Sequence, residues 1–330
     1  MNINFNLKSL DRFGGNILLS SFFVCLRARF IVTINILIIL FTMNTMTVFC
    51  AESGFAKYKV GDIDFYCIQD LANAMDNAIF TDADPDILKK YTQNGKSPSS
   101  ISTFVIKHNN KKFVTKHNNN KTILVDTGNG VNLLTNLAAA GIKTDEVSDI
   151  LLTHTHGDHV SGLFRGSKTN FPNATIWITA AELKFWKSSN NRLVEKVIKA
   201  YGEFKIIVPD EKSAVVLPEV VAIDAVGHTS GHVAFLVSSK GQKVFVAGDL
   251  LHSASLQFPH PEISSRYDSD PKQAAEIRKK LLTRTANEKW IFVSAHIPFP
   301  GFIQVEKDGN GFKLSPLNNP TNTNILPKKD

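Results

Sequence analysis

One stretch constrains what this chain can fold into more than any other: residues 149–162, with the sequence DILLTHTHGDHVSG. Four hydrophobic or small residues at 150–153 begin it like a buried strand, and Gly157 lets the backbone turn sharply. Three imidazoles and a carboxylate stand there at H-x-H-x-D-H spacing: His154, His156, Asp158 and His159. Because such a turn can direct these groups at one volume, the stretch predicts a site for one or two zinc-like ions rather than a set of structural histidines.

Three further ligand candidates stand at the ends of predicted strands. His228 lies in VGHTSGH, Asp249 in VFVAGD and His296 in WIFVSAH. A strand followed by a loop that carries a ligand, repeated along the chain, places an open site on rigid elements. With the central stretch these residues supply enough ligands for two metal ions that share one carboxylate and a bridging water. We interpret His232 and His260 as residues that bind no metal.

The combination H-x-H-x-D-H, G-H-T-S-G-H, G-D and A-H resembles that of the metallo-β-lactamase-fold hydrolases, over roughly residues 58–304. The segments GDLLHSASLQFPHPEISSRYDSDPKQAA and AHIPFPG resemble more specifically the methyl parathion hydrolase and lactonase branch. The resemblance implies an α+β fold, a four-layer αββα sandwich with a dinuclear metal site at its edge. It also implies two divalent metal ions, with zinc favoured.

Carried over motif by motif, the resemblance assigns His154, His156 and His228 to one metal. It assigns Asp158, His159 and His296 to the other, with Asp249 as the bridge. Asp126, in LVDTG, would support the metal loop without binding metal.

Catalytic roles are predicted for Asp158, Asp249 and His252. His252 is interpreted as a substrate contact or leaving-group acid, the alternative being a mere loop histidine. The side chains of Phe258, Phe299 and Phe302 would line an apolar pocket or belong to the core.

The predicted function is hydrolysis of a lactone, ester or phosphotriester by a hydroxide that bridges the two metals. Two alternatives stay open: an iron-dependent enzyme similar to persulfide dioxygenases, and a non-catalytic protein in which metals only stabilise the fold. The expected partner is a small-molecule substrate, and a homodimer is compatible with this interpretation. The net charge of +7 falls to +4 beyond residue 51, since four of the 37 basic and one of the 30 acidic residues lie before it. This charge gives little support for a nucleic-acid partner.

The N-terminal residues 1–51 have the order of a secretory signal peptide. Arg27 and Arg29 precede an uncharged run at 30–42, and small and polar residues follow it. We therefore expect a periplasmic or secreted protein without stable membrane association after cleavage, the alternative being an uncleaved N-terminal anchor. Only Cys67 would remain after such a cut, and its apolar neighbours predict a core residue.

The remaining pattern predicts one hydrolase domain at 52–315 and a flexible tail at 316–330. It predicts a first strand at 58–68 with a turn at 61–62, and a loop at 69–100 with a short helix at 85–91 that Asp84 would cap. It also predicts a strand at 214–217 and an amphipathic helix that begins at Pro271 with Asp270 as its cap. The Asn- and Lys-rich segment 107–121 is predicted as an exposed hairpin, and its role is left open.

Overall fold

Two large sheets lie at the centre of the fold, in a computed structural model that describes residues 54–108, 121–189, 192–215 and 218–317. The strands of the N-terminal half are β1 (Phe55–Val60), β2 (Ile63–Asp76), β3 (Lys96–His108), β4 (Thr122–Val125), β5 (Val147–Leu151), β6 (Phe164–Arg165), β7 (Lys168–Thr169), β8 (Thr175–Thr179) and β9 (Lys205–Ile207). The strands of the C-terminal half are β10 (Asp210–Ala214), β11 (Val220–Asp224), β12 (Val233–Ser239), β13 (Gln242–Val246), β14 (Ile291–Val293), β15 (Ile303–Asp308) and β16 (Gly311–Pro316). The first sheet has the order β1-β2-β3-β4-β5-β8-β9, the second runs from β10 to β16 in sequence, and β6 pairs with β7.

The helices lie between these strands, and two of the longer ones make parallel crossovers. They are α1 (Pro85–Tyr91), α2 (Leu133–Ala139), α3 (Gly157–Val160), α4 (Ala180–Ser188), α5 (Arg192–Tyr201), α6 (Ala254–Gln257) and α7 (Pro271–Glu288). α2 connects β4 to its parallel neighbour β5, and α7 connects β13 to its parallel neighbour β14. α7 begins where the sequence predicts, because Pro271 follows Asp270, whose side chain accepts a hydrogen bond from the backbone N–H of Gln273.

Three apolar layers hold the elements together. The inner faces of the two sheets meet around Phe65 and Phe104 of the first sheet and Phe235 of the second. On the outer face of the first sheet, Trp186 of α4 packs in a cluster with residues of α2 and α5. On the outer face of the second sheet, Leu281 and Leu282 of α7 pack in a third cluster. The layers therefore run helices, sheet, sheet, helices, which confirms the predicted αββα sandwich.

The carboxyl ends of several strands meet at one edge of the sandwich. β4, β5 and β8 run parallel in the first sheet, while β11 and β13 point the same way in the second because β12 is antiparallel to both. Two backbone hydrogen bonds tie the sheets together there, from Val233 N to Thr153 O (3.0 Å) and from Ser102 N to Ala295 O (3.1 Å). Loops that follow these strands are therefore close neighbours even when they are far apart in sequence.

The segment 69–100 contains more strand than the sequence predicts. β2 continues to Asp76 and β3 begins at Lys96, so that the two strands form a long antiparallel ribbon in which these two residues pair. The alternation of apolar and polar residues weakens along this ribbon because much of its outer end is exposed. There the two strands are held together by cross-strand hydrogen bonds. The short helix at 85–91 is confirmed, with the side chain of Asp84 capping the N–H of Asp86 at 2.7 Å.

The C-terminal side differs from the prediction in two places. The strand β10 begins at Asp210, before the strand predicted at 214–217, and ends at Ala214, while residues 216–217 lie outside the described residues. The hairpin of β15 and β16 was not predicted, although Phe312 at its turn is buried and its N–H donates to Phe258 O at 2.8 Å. β16 reaches Pro316, the first residue of the predicted tail.

Several predicted segments lie outside the described residues: the signal peptide, the tail beyond 317 and most of the 107–121 insertion. Among the residues that are described, no helix has the length and apolar character needed to cross a bilayer. Cys67 is a buried free cysteine on β2, as predicted, and burial raises the pKa of its thiol to about 12.

Candidate metal centre

All seven predicted metal ligands lie together at the edge where the strand ends meet. Each loop ligand stands three or four residues beyond a strand: His154 after β5, His228 after β11, Asp249 after β13 and His296 after β14. The potential ligand atoms form two groups, in each of which they lie within 4.8 Å of one another. The first group is His154, His156, His228 and Asp249, and the second is Asp158, His159 and His296.

The carboxylate of Asp249 reaches residues of both groups. Its Oδ1 lies 3.0 Å from Nε2 of His159, and its Oδ2 lies 3.1 Å from Nε2 of His296. The same Oδ2 is 3.4 Å from Nε2 of His228 and 3.6 Å from Nε2 of His154. One buried carboxylate therefore stands where a ligand shared between two cations would be needed.

Four imidazoles are oriented alike, with Nδ1 turned outward and Nε2 turned into the site. His154 Nδ1 contacts Thr153 Oγ1 at 3.1 Å, and His296 Nδ1 contacts Ser100 O at 3.1 Å. His159 Nδ1 contacts Asp126 Oδ2 at 2.8 Å, and His228 Nδ1 contacts Asp268 Oδ1 at 2.9 Å. Because Nδ1–H donates outward in each case, Nε2 is the nitrogen that each ring presents to the interior of the site.

Three of the buried atoms that face the interior make no hydrogen bond: Nε2 of His154, Nε2 of His159 and Oδ1 of Asp249. The last two lie only 3.0 Å apart, but this contact is not a hydrogen bond of acceptable geometry. Unpartnered polar atoms at such depth are costly in a folded protein. Imidazole nitrogens and carboxylate oxygens are ligands of zinc and of similar divalent ions. The donor set thus fits bound divalent cations, which would satisfy these atoms.

Charge and burial set the protonation of the site. Burial, helped by neighbouring histidines, lowers the pKa of His154 well below its ordinary value, and burial lowers the pKa of His228 to about 3. Burial opposes ionisation of Asp249 as well, but His159, His296 and His154 nevertheless hold its pKa well below the ordinary value. In the second group the direction is reversed: although burial opposes protonation, Asp249 raises the pKa of His159 well above its ordinary value and also raises the pKa of His296. These two rings would release a proton on binding a metal, whereas the rings of His154 and His228 are already neutral.

Asp126 occupies the supporting position that the resemblance implied. Its Oδ1 accepts the N–H of Thr153, and its Oδ2 accepts the hydroxyl of Thr153, both at 2.8 Å. The same Oδ2 accepts Nδ1–H of His159. Asp126 thereby fixes the beginning of the H-x-H-x-D-H loop and the ring of one of its histidines.

The two histidines interpreted as non-ligands differ in position. His232 is buried beside the site, but its Nδ1 donates to Ala225 O (2.8 Å) and its Nε2 accepts the N–H of Asp249 (3.1 Å), so no ring nitrogen is left for a metal. Gly248, with φ +55°, allows this contact, because a Cβ there would lie 2.5 Å from His232 Nε2. His260 lies near the surface and contacts Glu262.

An open cavity of about 430 Å³ lies above the ligands. Its floor contains four of the seven ligand residues, His156, Asp158, Asp249 and His296. Its wall contains His252, whose ring stacks on that of His296 at 5.3 Å between centroids. The remaining lining residues are Asn73, Met75, Ile101, Asn129, Gly157 and Tyr267. Of the two alternatives for the three phenylalanines, the structure selects the core: Phe258 and Phe302 are buried in it and Phe299 packs against it.

Two residues that matter for the site were not identified from the sequence. Asp268 accepts Nδ1–H of His228 and the N–H of Ser265, and it faces the fully buried guanidinium of Arg278 at 3.4 Å. Arg278 also donates to the carbonyls of Leu250, Pro261 and Ile263. The ion pair of Asp268 and Arg278 thus connects the candidate ligand His228 to the loop at 261–268, which contributes Tyr267 to the cavity wall. A charged residue on the apolar face of α7 was the available sequence signal.

Comparisons with known proteins agree with this geometry. The family model of the metallo-beta-lactamase superfamily matches residues 113–296. Among solved structures, the chain is similar to the hydrolase AbOPH of the beta lactamase superfamily, with 29% identity, 81% of this chain and 98% of that chain covered, and a TM-score of 0.69. No curated protein matches.

The chain is also similar to AidC, a dizinc quorum-quenching lactonase solved with a product, an N-acyl-L-homoserine, at 28% identity, with the same coverages of 81% and 98% and a TM-score of 0.69. A mutant of AiiA from B. thuringiensis with N-decanoyl-L-homoserine bound shares 20% identity over 74% of this chain and 100% of that one, with a TM-score of 0.54, and this likeness concerns the fold alone. The chain belongs to the metallo-beta-lactamase superfamily. It is a hydrolase of that fold with candidate metal-binding clusters, which confirms the resemblance drawn from its motifs.

Proposed function

We propose that this protein is a dinuclear metal-dependent hydrolase of ester-type bonds, with a lactone as the favoured substrate. The observation that carries the proposal is the buried carboxylate of Asp249, which contacts residues of both ligand groups beneath an open cavity. Aryl esters and phosphotriesters need the same attack by water and remain within the proposed range.

Two divalent cations, when bound, lower the pKa of water and polarise the oxygen of the bond to be cleaved. Asp249 and the inward-facing imidazoles hold the charge in a buried, fixed arrangement that needs no reorganisation during the reaction. Asp158, whose side chain is 30% exposed, borders the cavity and is placed to accept the proton of the attacking water.

The cavity wall provides the contacts that would orient a substrate. His252 lies between the floor and the wall, with its Nε2 3.4 Å from Asp249 Oδ2, and we assign to it the donation of a proton to the leaving alkoxide. Met75, Ile101 and the half-exposed ring of Tyr267 offer apolar surface for the rest of the molecule. A lactone fits this cavity, because its ester group would face the polar ligand residues and the rest of the molecule would face the partly apolar wall.

Likeness to AidC supports the choice of a lactone, since that relative is a lactonase with its product bound and shares 28% identity over 81% of this chain. Zinc is the proposed metal on the same ground and on the mixed imidazole and carboxylate donor set. Two alternatives can be tested against this proposal. Metal analysis would identify an iron-dependent oxidative enzyme, and a lack of hydrolytic activity would identify a binding protein that metals only stabilise.

The test combines metal content with a substrate panel. We expect two divalent ions per chain and the highest kcat/KM on an alkyl lactone, with lower values on a nitrophenyl ester and a nitrophenyl phosphotriester. Lys199→Gln, at an exposed position of α5, serves as a control that should change neither result. A single bound iron, or two ions with no hydrolysis of any of the three substrates, would contradict the proposal.

Export to the periplasm or the medium is part of the proposal and rests on the N-terminal residues 1–51. N-terminal sequencing of the protein after expression with its leader would test it. A mature protein that begins near residue 51 is expected, and a full-length chain retained at the membrane would favour the anchor instead.

A further inference from the structure

Glu182 is a fully buried carboxylate whose role the sequence pattern does not explain. It lies in the first turn of α4, a position that the helix dipole alone favours. In the folded chain its Oε1 accepts both the N–H of Thr155 (2.9 Å) and the hydroxyl of Thr155 (2.7 Å). Its Oε2 accepts the hydroxyl of Thr229 at 2.5 Å. A buried carboxylate with three donors is held in one orientation.

The two threonines belong to different ligand loops. Thr155 lies between His154 and His156 in the loop that follows β5 of the first sheet. Thr229 follows His228 in the loop after β11 of the second sheet. The carboxylate of Glu182 therefore connects, through one side chain, the two loops that supply every histidine of the first ligand group.

Close packing around Glu182 leaves these loops little freedom. A Cβ added at Gly231, in the loop of His228, would lie 2.2 Å from the backbone nitrogen of Glu182. Thr179, which caps α4, donates its hydroxyl to Gly231 O at 2.8 Å. Across the same junction, His156 Nδ1 and His228 Nε2 lie 2.9 Å apart. A small shift of either loop would change the separation of these two ring nitrogens.

We infer that Glu182 is a positioning residue that holds His154, His156 and His228 at the spacing the first metal requires. The inference deepens the proposed function and rests on it for the presence of the metal. The second group has its own buried carboxylate, Asp126, which contacts Thr153 and His159. Both carboxylates contact the loop that follows β5, but at different residues, and of the two only Glu182 also contacts the loop of His228. Loss of Glu182 should therefore affect the first group selectively.

Metal titration of the full chain tests this selectivity. Glu182→Ala removes all three hydrogen bonds, and Thr229→Val removes only the bond to the second loop. In Glu182→Gln, the amide oxygen can still accept from Thr155 and the amide NH₂ can donate to Thr229. Glu195→Gln on the exposed face of α5 is the matched control. Zn²⁺ affinity is measured by competition with a chelating indicator, and metal per chain by mass spectrometry.

We expect Glu182→Ala to weaken one of the two zinc sites by about 10- to 100-fold and to leave the other unchanged, as loss of an outer partner of a metal ligand commonly does. Thr229→Val should weaken the same site less, and adding it to Glu182→Ala should have no further effect. Glu182→Gln should stay closer to the wild type than either. Equal weakening of both sites, or no change in either, would overturn the inference.

Hydrogen exchange of the metal-free protein supplies a readout that does not depend on the metal. Loss of the connection in Glu182→Ala should speed amide exchange in the segments around residues 155 and 229, and leave the segment around residue 126 unchanged. If the wild type bound no zinc, the proposed function would fail while this comparison still tested the connection. Unchanged exchange in both loops would overturn the inference in either case.

Discussion

A single carboxylate determines much about this site at the scale of the residue. Asp249 is 2% exposed, and its carboxylate faces five imidazole nitrogens within 3.6 Å, those of His154, His159, His228, His252 and His296. Burying so many polar groups without full hydrogen bonding is unfavourable unless another partner is present. The backbone N–H of Asp249 is already used by His232, which orients the residue from behind. The carboxylate is therefore fixed before any metal arrives.

Replacement of this carboxylate should disable both ligand groups. We expect Asp249→Ala to retain fewer than two metal ions per chain and to lose nearly all hydrolysis, because the shared ligand and its negative charge are gone. Metal analysis after desalting, together with turnover of the best substrate, measures both effects. Near-normal turnover with two ions retained would show that Asp249 is not the shared ligand.

His252 allows a second prediction at this scale. We expect His252→Leu to keep its metal content but to hydrolyse an alkyl lactone about 10²- to 10⁴-fold more slowly, the usual contribution of general acid–base catalysis. A nitrophenyl phosphotriester has a good leaving group that needs no proton, so its hydrolysis should fall far less.

The measurement is the ratio of kcat/KM for the two substrates in the variant and the wild type. His260→Leu, which changes a histidine outside the cavity, provides the matched control. An unchanged ratio in His252→Leu would exclude the proton transfer assigned to this residue, and loss of metal would make His252 a ligand instead.

At the scale of the element, α7 links the core to the site. Its buried face contributes Leu281 and Leu282 to the outer core of the second sheet, and the same face carries Arg278 toward Asp268. The N-terminus of α7 lies beside the loop of His228, because the N–H of Asp270 donates to Gly227 O at 2.9 Å. The helix thus supports two loops together: the loop at 261–268, which carries Tyr267 of the cavity wall, and the loop of His228.

The cap of α7 offers a test of its contribution to stability. Asp270→Ala removes the side-chain bond to the N–H of Gln273 and should lower the free energy of unfolding by about 0.5–2 kcal/mol. Denaturant unfolding of the metal-free protein measures this change. Asp308→Ala in the hairpin turn, which caps no helix, should change stability less; an equal loss in both would contradict the capping role.

At the scale of the whole molecule, the metals and the fold should depend on each other. The candidate ligands come from loops of both sheets, so that bound cations would connect the two halves of the sandwich. Ligands that bind only the folded state stabilise it by mass action. We therefore expect the protein to be more stable to unfolding with bound metal than without it.

Removal of metal by a chelator should abolish hydrolysis and lower the melting temperature together. Both should return when zinc is added back in excess of the chelator. Thermal unfolding and activity are followed on the same samples at several chelator concentrations. An apo protein that melts at the same temperature as the holo protein would indicate that the metals do not bind between the two sheets.

The sequence by itself determined the ligand candidates, because chemistry is carried by residue type and local spacing. The H-x-H-x-D-H loop, His228, Asp249 and His296 each follow a short apolar strand, and that local pattern is visible in the chain. The resemblance of these motifs supplied the αββα arrangement, which is confirmed. Helices with clear caps, such as those at Asp84 and Asp270, were also predictable for the same local reason.

Tertiary structure alone decided which distant residues meet. The contacts of Glu182 with Thr155 and Thr229 span 27 and 47 positions, and no periodicity in the chain encodes them. The β2–β3 ribbon and the hairpin of β15 and β16 likewise depend on cross-strand hydrogen bonds and on burial against other elements. The cavity wall follows from the same cause: pairing of β2 with β3 brings Met75 near Ile101, and tertiary packing adds Tyr267 from a loop more than 160 positions away, because van der Waals contact depends on distance in space and not in sequence.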